Sequence, residues 1–324
     1  MSVVAAAVVA ALVAALALRI LLQPGRLPAA RPNQRSLHQV PVPQGAGIGI
    51  WAGVAAATFW LPRWLPWAIP LAIVIAVSLW DDRRGVSVPL RLATHAAAAI
   101  AWIGWSGGFA GPVPTLIMVL AIVWMTNLYN FMDGSDGLAA SMSLIGYGAF
   151  ALAGWRAGAA ETPLMIAVAA ATVPFLLVNL PPARAFLGDV GAVPLGFLAA
   201  ILGIGGWEAQ WWPAWFPVLV FLPFVGDATV TLLRRVFAGS RVWEAHRDHY
   251  YQRLVRMGLG HSGALALYAA LMLGTAGSAL AALTRAPEAG YALLALWTAA
   301  LLLLFASIGY DWRFLDREPD ATEG

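Results

Sequence analysis

Apolar residues fill this chain in long, nearly unbroken runs, not in the one-faced or alternating patterns of a soluble domain. Eleven runs stand out, at residues 3–22, 45–60, 65–80, 90–105, 115–129, 138–155, 163–180, 190–207, 215–233, 262–283 and 291–310. A helix needs about 20 apolar residues to cross the hydrocarbon core of a bilayer. Each run therefore predicts a spanning helix, with the second and fifth short for the purpose. Several are bounded by Trp or Tyr, which favour the headgroup level, and glycine and proline are tolerated inside such helices. The expected fold class is all-α: a polytopic transmembrane helix bundle of about 11 spans, forming one membrane domain over residues 1–310 with a polar tail at 311–324.

Composition supports this. The 324 residues are 61% hydrophobic and 11% charged, with a mean hydropathy of +0.76. Soluble domains carry about 25% charged residues, so bilayer must be the solvent for most of the surface. The first run lacks a basic segment before it and a small-residue cleavage site after it, and is expected to be retained as a span. No cysteine is present, which excludes disulfides, zinc–thiolate sites and iron–sulfur clusters. All 19 basic residues are arginine, a bias that a high-GC genome explains better than any function. The net charge of +3 is too small to imply nucleic acid.

An odd number of spans puts the two termini on opposite sides, and the arginines choose which. With the N-terminus outside, the inner loops hold Arg26, Arg31, Arg35, Arg83, Arg84, Arg91, Arg184, Arg234, Arg235, Arg241, Arg247, Arg253, Arg256, Arg313 and Arg317, and Arg19 lies near the inner end of the first span. The outer loops hold only Arg63, Arg156 and Arg285. The C-terminus is then cytoplasmic. Asp81, Asp82, Asp133, Asp136 and Asp189 fall on the same inner side as the arginines.

Five constellations carry candidate chemistry. Asp81-Asp82-Arg83-Arg84 follows a span directly; repulsion between the two acids can be relieved by a divalent cation or by neighbouring arginines. Residues 127–138 contain Asn127, Asn130, Asp133 and Asp136, which share faces pairwise at helical spacing. Their amide and carboxylate oxygens are hard donors suited to magnesium and its bridged phosphates; a polar turn between helices is the plainer reading. Asp189, between Gly188 and Gly191, opens an apolar helix and is either a metal ligand or a cap of that helix. His246, Arg247, His249 and Arg253 form a basic segment; in a helix His246, His249 and Arg253 would face one way. Zinc between the histidines is one reading, phosphate recognition by arginine a better one, and contact with anionic lipid a third. Residues 35–47, rich in Pro and Gly, lead into the second span; either their backbone amides near Gly45 and Gly47 approach a ligand closely or they form a plain turn, and the two readings stand equal. Apart from these, Asp227 lies inside the ninth span, where an acid is costly and a functional candidate by default, with an ion pair inside the bundle as the alternative. His95 and His261 read as structural.

At these motifs the chain resembles the polyprenyl-phosphate N-acetylhexosamine-1-phosphate transferases, the glycosyltransferase 4 family. That family includes the phospho-N-acetylmuramoyl-pentapeptide translocase and the enzymes that start O-antigen, enterobacterial common antigen and teichoic acid synthesis. The similarity runs in order from Arg35 to Arg253, and residues 246–254 are most similar to the O-antigen branch. The resemblance implies a catalytic membrane domain that moves N-acetylhexosamine 1-phosphate, or a 6-deoxy N-acetylsugar 1-phosphate, from a UDP-sugar to undecaprenyl phosphate, releasing UMP. It implies Mg2+, with Mn2+ as an alternative, at the cytoplasmic face of a bacterial inner membrane. It implies catalytic roles for Asp81, Asp82, Asp133 and Asp136, substrate contacts for Asn127, Asn130, His246, Arg247, His249 and Arg253, and metal ligation by Asp189 with Asn130. Dimers are common among the resembled enzymes, which leaves a homodimer open. Ala192 stands where serine is usual, Ala46 interrupts a glycine triplet, and Arg84 stands near a lysine of the translocase branch. A CDP-alcohol phosphotransferase would need an Ala-Arg pair soon after Asp-Gly, where this chain has Leu138-Ala139-Ala140-Ser141. A transporter of lipid-linked sugars would place its acids in mid-membrane.

Overall fold

A computed structural model of the chain describes residues 2–30, 40–59, 65–107, 111–240 and 246–315. Residues 35–39 of the fifth constellation, with Arg31, Arg63, Arg241, Arg317 and the end of the tail, lie outside them. The described residues form helices α1 (Val3–Leu21), α2 (Ile48–Thr58), α3 (Leu65–Arg84), α4 (Val88–Ser106), α5 (Pro112–Phe131), α6 (Leu138–Ala157), α7 (Thr162–Asn179), α8 (Asp189–Glu208), α9 (Trp215–Val220), α10 (Leu222–Phe237), α11 (Tyr250–Leu254), α12 (Gly260–Arg285) and α13 (Gly290–Leu315). A π-helical turn joins α11 to α12. One short antiparallel pair, β1 (Ala29–Ala30) with β2 (Val42–Pro43), is the exception to an all-helical architecture.

Every apolar run of the sequence is helical, but not every one is a plain span. Seven helical segments among the described residues are long and apolar enough to cross a bilayer. The second run yields only the 11 residues of α2, which rise about 16 Å, roughly half the hydrocarbon core. The ninth run breaks at Phe221 into α9 and α10, where Pro223 lacks the N–H that a continuous helix would need. At the C-terminal end α13 continues through Asp311 and Trp312 to Leu315, past the boundary expected at 310.

Helices that share a bilayer gain little from hiding apolar surface, so close packing of small residues holds them together. α1 shows how. Ala6, Ala10, Ala14 and Leu18, four apart, form its buried stripe, while Val4, Val8, Leu12 and Leu16 on the opposite face are exposed as a lipid-facing surface would be. The stripe meets α2 at Gly53, where a Cβ would collide with the Ala10 carbonyl. α8 is the buried centre, packed mainly between α3 and α5 and touched by α2, α4 and α6. Gly196 allows it to approach the α5 backbone at Met125, and Gly191 allows it to meet Gly47 of the turn before α2, backbone to backbone.

The antiparallel order brings the C-terminal ends of α3, α5, α7, α10 and α13 to the same end of the bundle as the N-terminal ends of α4, α6, α8 and α12. The segment around β2 is laid across that end. Phe186 N donates to Pro43 O (2.8 Å), and Ala46 N and Gly47 N donate back to the carbonyls of Phe186 and Leu187 (3.0 Å each).

Candidate active site

Asp81 and Asp82 occupy the last turn of α3, and their carboxylates do different things. Asp82 reaches the start of α8: Oδ1 accepts from the backbone N of Asp189 (3.0 Å) and Oδ2 from that of Val190 (2.9 Å). Gln44 Nε2 donates to the same Oδ1 at 3.1 Å. The first amides of a helix have no partner within it and carry partial positive charge, so a carboxylate is well placed there. Gly188 makes the approach feasible. Its φ is +73°, and a Cβ would meet Asp82 Oδ2 at 2.7 Å. The cap of α8 is therefore Asp82, from 107 residues away, and not Asp189.

Asp189 is thereby left with its carboxylate turned toward α4. Arg91 Nη1 lies 3.0 Å from Asp81 Oδ2 and 3.5 Å from Asp189 Oδ2, bridging the two acids. Asp81 also accepts from the Val86 amide at 2.7 Å. The Asp189 side chain keeps 22% of its surface exposed and Asp81 only 10%, so Asp189 is the more accessible. Sequence reasoning counted Arg91 only for topology. The turn at residues 85–87, followed by Pro89 at the start of α4, was the signal that a helical hairpin would fold Arg91 back onto Asp81. Arg83 and Arg84, adjacent in sequence, are not its partners among the described contacts.

The pairwise helical spacing expected across residues 127–138 holds only in its first part, because α5 ends at Phe131 and residues 132–137 form a turn. Asn127 Nδ2 donates to Val123 O (2.7 Å) and lies 3.3 Å from His95 Nδ1. Asn130, half-buried, lies one turn closer to the acids. Asp133 sits in the turn, half-buried. Burial and the charges of Asp189, Asp82 and Asp136 push its carboxyl well above the usual carboxylate range. Asp136 is occupied differently. Its Oδ2 accepts from the Ala183 amide (2.9 Å), and its Oδ1 lies 3.7 Å from His261 Nδ1, which also contacts Ser135 Oγ at 3.0 Å. Asp136 and His261 thus tie the 132–137 turn to the 181–185 loop and the start of α12.

The basic constellation is not one helical face. Residues 246–249 are extended, and α11 begins only at Tyr250. His246 and His249 lie ring to ring at 5.0 Å, and His249 stacks on Phe131 at 6.1 Å. Tyr251 Oη donates to Phe131 O at 2.9 Å, and the space above Gly134 is filled by the Tyr251 hydroxyl and Gln252 Nε2. This side of the segment abuts the Asp133 turn. Arg253 points the other way: its Nε donates to Asp248 O (3.0 Å) and its guanidinium lies between the rings of Tyr250 and Trp312. Burial and the positive charges of His249 and Arg235 hold the His246 imidazole down at about 4. Arg247 is half-buried beside it.

Asp227 organises the whole segment from inside the bundle. It is fully buried and accepts from Thr231 Oγ1 (3.1 Å), His249 Nδ1 (3.2 Å), Tyr250 N and Tyr251 N (3.0 Å each), and Tyr268 Oη. This geometry makes Asp227 a buried acceptor satisfied within the bundle, which is the structural reading of it.

Fold and site together define a multi-pass, all-helical membrane protein whose carboxylates and arginines gather at one end. The comparisons agree. Residues 64–206 match the family model described as glycosyl transferase family 4. A probable undecaprenyl-phosphate N-acetylglucosaminyl 1-phosphate transferase of Bacillus subtilis (strain 168) is 27% identical over 253 residues, 71% of this chain and 70% of that protein. An undecaprenyl-phosphate alpha-N-acetylglucosaminyl 1-phosphate transferase of Yersinia pestis is 27% identical over 312 residues, 87% of this chain and 84% of that protein. A phospho-N-acetylmuramoyl-pentapeptide-transferase of Shouchella clausii is 37% identical over 107 residues, about a third of each chain. Over residues 64–206 the chain is similar to glycosyl transferase family 4, and over most of its length to undecaprenyl-phosphate N-acetylglucosaminyl 1-phosphate transferases.

Proposed function

We propose that this protein transfers an N-acetylhexosamine 1-phosphate, or a 6-deoxy N-acetylsugar 1-phosphate, from a UDP-sugar to undecaprenyl phosphate. The reaction releases UMP and initiates O-antigen or another envelope polysaccharide, at the cytoplasmic face of the inner membrane. The names of the relatives support the acceptor and the class of sugar. The observation that carries the reading is the convergence of Asp133, Asp189 and Arg91 on one surface, with the His246–Gln252 segment packed beside it.

Magnesium fits the donor set. Among the described residues no three acidic or histidine side chains form a cage for a metal. Mg2+ does not need one, since one or two carboxylates suffice when water and substrate phosphate oxygens complete its shell. Asp189 and Asp133, with the amide oxygen of Asn130, are hard donors of the right kind. The crowding that lifts Asp133 is what a divalent cation would relieve. Mg2+ or Mn2+, when bound, would neutralise charge on the diphosphate and on the departing UMP.

The remaining roles belong to the chain itself. Asp82 fixes the start of α8 and so aims Asp189. Asp81 orients Arg91, whose guanidinium is available to an incoming phosphate. Asp136 braces the turn that carries Asp133. Asn127 and Asn130 on α5, with His246, Arg247 and His249, would supply the substrate contacts. An oxygen of the lipid phosphate attacks the sugar-bearing phosphorus, and the bond from that phosphorus to the UMP oxygen breaks. The acceptor is already an anion, so no general base is required, and direct attack is favoured over an aspartyl intermediate.

The test is to give purified protein undecaprenyl phosphate and a panel of UDP-N-acetylsugars, with Mg2+ or with EDTA, and to identify the lipid product by mass. Metal-dependent UMP release with a lipid diphosphate sugar is expected. No UMP from any sugar would overturn the reading, and a labelled protein adduct formed without acceptor would overturn direct attack.

A further inference from the structure

On the side of α11 turned away from the Asp133 turn, the described residues enclose an open pocket of about 540 Å³. α10 supplies Arg234 and Arg235, α11 supplies Tyr250 and Arg253, and α13 supplies Phe305 and Trp312. Tyr250 is stacked on Phe305, with ring centroids 4.3 Å apart. Two guanidinium groups converge on that wall. Arg234 lies 5.5 Å and Arg253 5.6 Å from the centre of the same Tyr250 ring. Both also donate to one acceptor, the Asp248 carbonyl, at 3.2 and 3.0 Å. The Asp248 carboxylate is engaged by Arg235. Arg256 lies 4.5 Å from the centre of the Trp312 ring.

Two like charges sharing one carbonyl oxygen and one ring, with Arg235 beside them and Asp248 as the one carboxylate lining the pocket, leave net positive charge among the described residues. A shared π face and a neutral oxygen soften the repulsion without cancelling it. An anion with several oxygens would satisfy both guanidinium groups at once. The pocket lies near the ends of α10 and α13, and both helices present apolar side chains outward: Leu233, Val236 and Phe237 in the last turns of α10, and Leu302 and Leu303 in the middle of α13. A phosphate seated against the arginines could carry acyl chains along those surfaces. α11 and the buried Asp227 stand between this pocket and Asp133, so an anion held here is not positioned to react.

We propose that the pocket binds the phosphodiester headgroup of an anionic phospholipid, as a site distinct from the acidic one. The lipid would clamp α13 to α10 and α11. Nothing in this requires the transferase reading, so the test uses lipid binding and not activity.

Full-length protein would be exchanged into phosphatidylcholine nanodiscs containing a minority of phosphatidylglycerol, and the co-purified lipid quantified. Wild type should retain phosphatidylglycerol preferentially. Arg234→Gln, which loses a charge-assisted contact, should lower that preference roughly tenfold. Trp312→Leu, which removes the ring behind Arg253 and Arg256 but no charge, should lower it less, and Arg184→Gln, far from the pocket, should not lower it. Thermal unfolding in detergent gives a second readout if Arg234→Gln folds poorly: phosphatidylglycerol should raise the midpoint of wild type more than that of either pocket variant. Equal retention by wild type and Arg234→Gln would overturn the proposal. So would an equal midpoint rise with inorganic phosphate, which would make the site one for a free anion. Displacement of phosphatidylglycerol by stoichiometric undecaprenyl phosphate would overturn it too, by assigning the pocket to the acceptor.

Discussion

Asp82 and Asp227 perform the same operation in two different settings. Each carboxylate accepts two backbone amides at the start of a distant helix, Asp82 at α8 and Asp227 at α11. Around Asp227 every further partner is a donor, from Thr231, His249 and Tyr268, so its charge is matched and enclosed. Around Asp82 one further donor, Gln44, stands among other acids: Asp81 beside it, and Asp133 and Asp189 across the surface. The difference separates an acid whose charge is met by donors from acids whose charges repel one another. Depth in the membrane does not make the distinction. Asp227, buried in α10, is the structural one, while Asp82, Asp133 and Asp189 at the bundle end lie crowded against one another.

The largest effect should come from Asp227→Ala. It leaves two amides, two hydroxyls and a histidine N–H without their acceptor in a buried space. Removing one partner from a buried charged network costs about 3–5 kcal/mol. Thermal unfolding in detergent should show a large drop in midpoint, with protease cleavage near α11 and activity lost in parallel. A normally folded variant would break the comparison, because Asp227 would then not be an anchor.

Asp189→Asn should do the opposite. The midpoint should stay close to wild type, since α8 is capped by Asp82, while metal-dependent UMP release falls by roughly 10²–10³-fold, as when one preorganised electrostatic group is removed. Wild-type turnover would remove Asp189 from the site.

Much of this architecture was legible in advance because membrane helices advertise themselves. Each apolar run became helix, and the string from Asn127 to Asp136 falls at the same end of the bundle as Asp81, Asp82 and Asp189. Two things were not legible. Helical spacing was extended beyond where helices persist: α5 stops at Phe131, and residues 246–249 precede α11, so neither Asp136 nor Arg253 points where a continuous helix would aim it. Long-range partners were also hidden. Gln44 and His261 become site residues only through contacts with chain segments 38 and 126 residues away, which no local pattern encodes, whereas Arg91 had a local signal in the turn before α4. Asp189 looked like its own cap because the true cap came from α3.

Asp82→Asn tests the middle of the comparison. The amide keeps the size of the carboxylate but replaces one acceptor with a donor facing a helix amide and removes charge at the positive end of α8. A cost of about 1–2 kcal/mol in stability is expected. Turnover should fall about tenfold, more than the unfolding data imply, because Asp189 loses its aim. A variant that unfolds as readily as Asp227→Ala would make Asp82 an anchor of the same kind, and one with unchanged turnover would separate α8 from the chemistry.

The smallest effect concerns pH, and here the two sides of the site should respond with opposite sign. His246 titrates at about 4 in the folded chain, below its ordinary 6.5. The unfolded chain therefore takes the proton first, and stability falls as pH drops from 6.5 toward 4. Asp133 is raised, so the folded chain takes that proton first and acidification favours the fold over the interval above the ordinary carboxylate range. His246→Gln should remove the destabilising slope and leave the stabilising one, visible as a smaller loss of unfolding midpoint between pH 6.5 and 4 in EDTA. Mg2+ should suppress the Asp133 contribution, because a cation among the carboxylates removes the repulsion that raises it. If wild type and His246→Gln lose midpoint in parallel across that interval, the buried neutral imidazole is not what makes this face acid-sensitive. If Mg2+ leaves the slope of His246→Gln unchanged, the carboxylates of Asp133 and Asp189 do not share a cation.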